Sequence, residues 1–472
     1  MTGALPQEFA KQGHDVILVI PGYRCIDEAD RPFRRIATLP VSTLEGMTET
    51  FVEEDVIPVG EAGGRLRVWV LRQDTLFDRP GLYQEQGKDY SDNLRRFAWF
   101  SRAVIEVIAH LRREHGWGAD LLHLHDWQTA LCAVYLKSTD KDREEVRGAR
   151  TVLTLHNVGY QGIFPGSQFE VTGLPASLFG LEGLEFYGSV NLLKGGIIFA
   201  DHLTTVSPTY AQEVLTPEFG FGLDGVLRNR QDRLKGIVNG IDIDRWNPET
   251  DTFLPTNYSA KEQAGKALCK RELQREFGLP AKPGPLLAAV TRLASQKGID
   301  LLESVIPQLM ELDLQLVVLG TGESQHEANL EALRARYPDR FGLRIGFDEG
   351  LAHRIEGGAD IFVMPSRYEP CGLSQLYSLR YGAVPVVTKT GGLADTVIPW
   401  NPESMRSGRA TGFHIAEVTA ESLLKSLRQA IELYRDQASW RQLTQAGMKS
   451  DFSWKRSART YLELFKAVVS ER

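Results

Sequence analysis

The residues able to do chemistry fall into short stretches, each following an apolar run that reads as a strand. Asp126, Trp127, Gln128 and Thr129 follow DLLHLH (120–125), and His156, Asn157, Val158, Gly159 and Tyr160 follow RTVLTL. Thr291-Arg292-Leu293 and Gln296-Lys297-Gly298 follow PLLAAV, and Thr321-Gly322-Glu323 follow LQLVVLG. DIFVMPS leads into Arg367-Tyr368-Glu369-Pro370-Cys371-Gly372-Leu373, and VPVVTK into Thr390-Gly391-Gly392-Leu393-Ala394-Asp395. Arg292 and Lys297 place two cations at one strand-to-helix junction, and Gly391-Gly392 at a helix start offers backbone N–H donors. Together they suit a diphosphate. Alone, an Arg–Lys pair is ordinarily a solvated surface and a Gly-Gly pair a turn. Their joint placement at strand ends of the same half favours the phosphate site.

Other residues read less sharply. Glu369 stands between a strand end and a Cys-Gly-Leu helix entry; it is either a helix cap or, in a sugar site, a ligand for hydroxyls. Cys371 has no adjacent base, so a buried structural thiol is favoured over a nucleophile. His156 could be a base, a ligand or a satisfied core histidine, and alone the last is favoured. The pairs His123/His125 and His125/Asp126 have no third ligand at metal spacing, so a metal site is rejected. No GxxxxGK[ST] loop occurs and no GxGxxG opens the first strand–helix unit, which disfavours ATP hydrolysis and a dinucleotide site.

The elements that must position these residues alternate along the chain. DVILVI, LRVWVL (66–71), DLLHLH, RTVLTLH, HLTTVS and LKGIVNG form a first series of strands. PLLAAVTR, LQLVVLG, LRIGF, DIFVMPS and VPVVTK form a second, with helical patterns such as 93–115 and 301–312 between strands. Strands rich in Val, Ile and Leu, apolar on both faces, indicate parallel sheets covered by helices. The polar, proline-bearing stretch 242–283 separates the series. Two doubly wound α/β domains are expected, with a ligand in the crevice between them, at strand carboxyl ends. The boundaries are expected at 1–245 with 456–472 packing back, and 246–455.

Composition fits this picture. At 472 residues the chain is too long for one core, and 42% hydrophobic with 24% charged residues is ordinary for a globular protein. A net charge of −7 without a basic block argues against nucleic-acid binding. Four scattered cysteines (Cys25, Cys132, Cys269, Cys371) fit a reducing compartment and no structural zinc. No apolar run is long enough to span a membrane, and the N-terminus lacks a signal-peptide pattern. A soluble intracellular protein is expected.

HDWQT, LHNVGYQG, EFYGSVNLLKGGI, TTVSPTYAQE, GIVNGID, RLASQKGIDLL, PSRYEPCGLSQLYSLRYG and TKTGGLADTV follow one another in order. Together they closely resemble the bacterial glycogen synthases and plant starch synthases over essentially the whole chain. The resemblance implies a GT-B glycosyltransferase fold of two Rossmann-like domains. It implies retaining transfer of glucose from ADP-glucose to the non-reducing end of an α-1,4-glucan, with no metal or other cofactor, in a bacterial cytoplasm or a plastid stroma. Arg292 and Lys297 would neutralise the diphosphate and Glu369 would hold donor-glucose hydroxyls. Cys371, Gly372 and Leu373, with Thr390, Gly391, Gly392 and Leu393, would present backbone donors to sugar and phosphate. His156 would turn its main-chain carbonyl to the anomeric centre. Asp126, Trp127 and Gln128 would line the glucan side, Asn239 the cleft, and Phe347 would stack on adenine.

The alternatives are a UDP-glucose-using or sucrose-type transferase, or an inactive glucan- or nucleotide-binding remnant. The last arises because family members begin with a strand and a KTGGL loop ahead of a GALP helix, whereas this sequence starts at Met1-Thr2-Gly3-Ala4-Leu5-Pro6. An N-terminal truncation, lacking the first strand and its lysine loop, is the expectation, with lower stability and activity than relatives.

Overall fold

The computed structural model describes residues 1–27, 31, 33–44, 46–60 and 63–471. The chain divides into two units, one of Met1–Val206, Ala211–Ile237 and Ser457–Arg472, the other of Ser207–Tyr210 and Val238–Arg456. The boundary expected at 245 therefore lies at 237. Residues 238–245 stay with the second unit because Ile241 bridges Ser453 and donates its N–H to the Phe452 carbonyl at 2.8 Å. Ser207–Tyr210 join it through Asp395, which accepts from the Thr209 N–H at 3.0 Å, the Thr209 hydroxyl at 2.6 Å and the Ser207 hydroxyl.

In the second unit six parallel strands form one sheet, in the spatial order Phe341–Ile345, Gln315–Gly320, Leu286–Val290, Ile361–Met364, Val384–Thr388 and Phe413–Ile415. Numbered along the chain this is 3-2-1-4-5-6, the doubly wound order of dinucleotide-binding folds. The strands are buried on both faces, so they read as continuous apolar runs. The amphipathic helices Ile299–Leu309 and Ala420–Arg435 bury Leu302, Val305, Ile306, Leu423 and Leu427 against Leu287, Val318, Ile361 and Val386. Thr419 starts the second of these helices by accepting the Ser422 N–H. The strand order reverses between Leu286–Val290 and Ile361–Met364, and the loops leaving those two strands carry Lys297 and Glu369.

The first unit holds two four-stranded sheets. One is parallel throughout: Leu234–Gly236, His202–Thr205, Arg150–Leu155 and Leu121–His125. In the other, Val16–Pro21 runs parallel to Gly64–Arg72, which continues antiparallel into Gly46–Val59 and Arg34–Thr43. The antiparallel pair adds to the parallel sheets expected from the sequence. Arg34–Thr43 and Gly46–Val59 mix buried and exposed positions, the pattern of an antiparallel pair with one solvated face. Helix Asn93–His115 covers this sheet, fastened by the Trp99 indole N–H donating to the Thr48 hydroxyl at 2.9 Å. It stops at Gly116, whose φ of 63° lets its N–H close on the Arg112 carbonyl. Among the described residues no helix is long and apolar enough to cross a membrane.

Candidate active site

The switch point of the second unit's sheet gathers charge. Lys297 ends a single 3-10 turn, Ser295–Lys297, and its Nζ lies 2.6 Å from Glu369 Oε2. The Ser366 hydroxyl donates to the same oxygen at 3.2 Å. Glu369 is only 6% exposed. It is not a helix cap: the next helix begins at Ser374 and its N-cap position is Leu373. Arg292, in the same loop as Lys297, is exposed, and its guanidinium donates to Gln296 Oε1 at 3.0 Å.

The glycine loop from the next strand lies on this segment. A Cβ on Gly391 would stand 2.0 Å from the Glu369 carbonyl oxygen, and one on Gly392 2.1 Å from that of Cys371. Gly391 also has a φ of +41°, so no other residue suits the position. The Gly392 N–H donates to the Glu369 and Pro370 carbonyls, at 3.2 and 3.1 Å, and the Leu393 N–H to the Thr390 carbonyl at 3.0 Å. Those two donors, expected to point at a ligand, hold the loop together instead. Gln375 braces the adjoining turn, its amide donating to the Cys371 and Gly372 carbonyls at 2.9 and 3.2 Å. The Asn239 backbone lies beside the Cys371 thiol, and the buried Asn239 Oδ1 has no hydrogen-bond partner among the described residues. Phe347 stands 89% exposed just beyond the edge strand Phe341–Ile345.

In the first unit, strands Leu121–His125 and Arg150–Leu155 pair in parallel with His125 opposite Thr154, which sets Asp126 beside His156. The His156 N–H donates to Asp126 Oδ1 at 2.8 Å, and Asp126 has a left-handed φ of 53°. His125 Nδ1 and His156 Nε2 are 3.1 Å apart. Burial pushes both imidazoles down, His156 to about 4, so they are neutral at physiological pH. Trp127 is a packed ring more than an open wall: it meets Phe97 edge-on at 4.9 Å and Phe164 at 5.8 Å. The Gln128 side chain lies beside Tyr83. Among the described residues no three His, Cys, Asp or Glu side chains are grouped to hold a metal.

Burial lifts the Asp126 carboxyl from its ordinary 3.8 to about 7, against the pull of backbone N–H donors from His156 and Asn157. Because the folded value is the higher, the folded state keeps this proton longer than the unfolded chain. Its contribution is fully present below 3.8, is lost as pH rises through about 7, and is constant above. Asp126→Asn retains an acceptor for the His156 N–H, tolerates the left-handed φ and does not titrate. The variant's melting temperature should gain on the wild type as pH rises through this window. A difference independent of pH would show that Asp126 does not titrate there.

Known proteins similar to this chain show its family. Residues 1–229 match the family model "Starch synthase catalytic domain" and residues 270–446 match "Glycosyl transferases group 1". The glycogen synthase of Thioalkalivibrio sulfidiphilus is 45% identical over 100% of this chain and 96% of its own length. That of Anaeromyxobacter dehalogenans is 44% identical over the same shares. The chain belongs to the glycogen and starch synthase family. It is a glycosyltransferase, with the two α/β units of the GT-B fold. The catalytic domain of starch synthase IV from Arabidopsis thaliana, solved with ADP and acarbose, superposes with a TM-score of 0.87 at 33% identity, over 99% of this chain and 94% of that one. A sucrose-phosphate synthase from Thermosynechococcus elongatus, 18% identical over 99% of this chain and 92% of its own with a TM-score of 0.58, shares the fold alone.

Reading the glycosyltransferase motifs as sequence finds the loops but misses their braces. Ser366 and Gln375 are absent from the expected site, and Asp395, although in one of the strand-end stretches, has no role in it. The signal for Ser366 was its position, a polar residue ending the apolar run DIFVMPS. Cys371 is buried and its thiol is pushed up to about 12, mainly by desolvation. No thiolate forms at working pH, so Cys371→Ser should retain transfer within a few-fold, measured as kcat.

Proposed function

We propose that this glycosyltransferase is a glycogen or starch synthase moving glucose from ADP-glucose to the non-reducing end of an α-1,4-glucan, with retention. The carrying observation is the Lys297–Glu369 pair at 2.6 Å, at the switch point of a 3-2-1-4-5-6 sheet. That is where such folds bind nucleotides. In this reading Arg292 and Lys297 take the diphosphate, with no metal invoked, and Glu369 and the free Oδ1 of Asn239 accept from sugar hydroxyls. Phe347 offers an exposed ring to adenine.

The sugar C1–O bond to phosphate breaks as the glucan hydroxyl oxygen bonds C1 on the same face, and the leaving phosphate oxygen takes the hydroxyl proton. Charge stabilisation and positioning then carry the catalysis. Neutral His156 suits this role, since its carbonyl rather than a charged ring would face the cationic sugar. Glu369 as a covalent nucleophile is the weaker reading, because its carboxylate is engaged by Lys297 and Ser366. The proposed setting is a bacterial cytoplasm, supported by the bacterial source of the similar glycogen synthases.

The test gives the enzyme glycogen and either radiolabelled ADP-glucose or UDP-glucose, then digests the product with an exo-acting α-1,4-specific amylase. ADP-glucose should be preferred by well over about 10-fold, equivalent to about 1.4 kcal/mol, and the label should be released. UDP-glucose preference, label resistant to the amylase, or glycogen binding without transfer would overturn the reading.

A further inference from the structure

The loop bearing Arg292 and Lys297 has little internal structure, one 3-10 turn ending at Gly298, so its position depends on what grips it. One grip comes from the Glu369 segment. The Arg367 N–H donates to the Gln296 carbonyl at 2.9 Å, its guanidinium to the Ser295 carbonyl at 2.7 Å, and the Gln296 amide to the Tyr368 carbonyl at 3.1 Å. A second is backbone, with the Leu293 N–H donating to the Thr321 carbonyl at 2.9 Å and the Glu323 N–H to the Leu293 carbonyl at 2.8 Å. A third grip is a chain of side chains with no part in the chemistry above. Ser295 Oγ lies 3.3 Å from His326 Nε2, and His326 Nδ1 lies 2.9 Å from Glu303 Oε1. The second Glu303 oxygen accepts from the Asn329 amide at 3.0 Å.

His326 comes from helix Ser324–Arg336 and is only 7% exposed, although that helix is largely polar. Glu303 comes from helix Ile299–Leu309, which the loop enters directly. A carboxylate only accepts, so Nδ1 carries a proton, and in the neutral ring Nε2 receives the serine hydroxyl. Serine, histidine and carboxylate stand here in the order of a hydrolase triad, but the chemistry does not follow. The Ser295 N–H, which an oxyanion would need, faces the Glu323 carboxylate at 3.4 Å, and Glu323 Oε2 is 3.7 Å from Nε2.

We infer that the Glu303–His326–Ser295 chain holds the 291–298 loop in register, making His326 a positioning residue for the Arg292 and Lys297 cations. This rests on the reading that those cations take the donor diphosphate. Placement matters for them as well as presence, since a misplacement of about 1 Å can cost on the order of 10²-fold in rate.

The experiment compares Ser295→Ala, His326→Ala, the double variant and Lys297→Ala by donor and glycogen kinetics, calorimetric ADP binding and melting temperature. Ser295→Ala removes one exposed hydroxyl, so folding is not at issue for it. Each single change in the chain should lower kcat/KM for the donor by roughly 10-fold, a fraction of the full misplacement cost, with the glycogen KM unchanged. The double variant should be no worse than His326→Ala, because both remove the same link. Additive losses, a shift in the glycogen KM, or a lower melting temperature with unaltered donor kinetics would each overturn the inference. If Lys297→Ala weakens ADP binding while the chain variants do not, the chain alone is wrong. If Lys297→Ala leaves ADP binding unchanged, the diphosphate reading fails and takes this inference with it.

Discussion

Glu369→Ala should reduce glucosyl transfer by about 10³-fold, since two charge-assisted hydrogen bonds to sugar hydroxyls, each about 2 kcal/mol, would be lost. The fold should survive. Among the described residues the carboxylate's hydrogen-bond partners are Lys297 and Ser366, and neither supports a helix start. Lys297 has a long, mobile stem and is still partly exposed, so its freed ammonium can turn to water. The backbone at Glu369, which carries the contacts to Gly391 and Gly392, is untouched by the substitution. Circular dichroism and melting temperature should therefore stay close to wild type while kcat collapses. An unfolded Glu369→Ala protein would mean that the residue is structural and that the proposed sugar contact is unsupported. Glu369→Gln, which keeps the shape, should recover only part of the rate, because the charge is what strengthens those bonds.

Lys297→Ala is the complementary case and should cost roughly 10²–10³-fold in kcat, together with weaker ADP binding. One unit-charge pair at about 4 Å is worth about 4 kcal/mol at the effective dielectric of a protein surface, before desolvation is discounted. Here stability should also fall, unlike in Glu369→Ala. Removing the lysine strands a carboxylate on a short stem, buried to 6% exposure, with the Ser366 hydroxyl as its remaining hydrogen-bond partner among the described residues. Breaking one side of a buried pair is the costly direction. The two variants should thus separate in melting temperature while both lose turnover. Equal melting temperatures would contradict the burial argument; an unchanged kcat would remove Lys297 from the diphosphate.

The paired result bears on what was legible in the residues alone. The strands Leu286–Val290, Gln315–Gly320, Ile361–Met364 and Val384–Thr388 announce themselves as apolar runs, because parallel strands buried on both faces have no polar phase. The reactive loops follow from them, since such folds place chemistry just beyond strand carboxyl ends. Helix 93–115 is equally plain, with its repeating apolar face and a glycine at its end. The hairpin of Arg34–Thr43 and Gly46–Val59 was not legible: charged residues alternate through it, and half-exposed strands resemble loops when no partner is in view. Phe413–Ile415 is too short to show a period.

Tertiary structure alone decided the rest. Lys297 and Glu369 are 72 residues apart, and only the strand order that sets the first and fourth strands side by side makes them a pair. The left-handed φ of Asp126 and its contact with His156 depend on the register of two parallel strands. Ser295 stands in the RLASQKGIDLL stretch, but His326 and Glu303 carry no motif that ties them to it; the three meet because two helices flank one loop. Local chemistry is written in local sequence, whereas the distance between charges is set by which strands become neighbours, and that is determined by burial across the whole sheet.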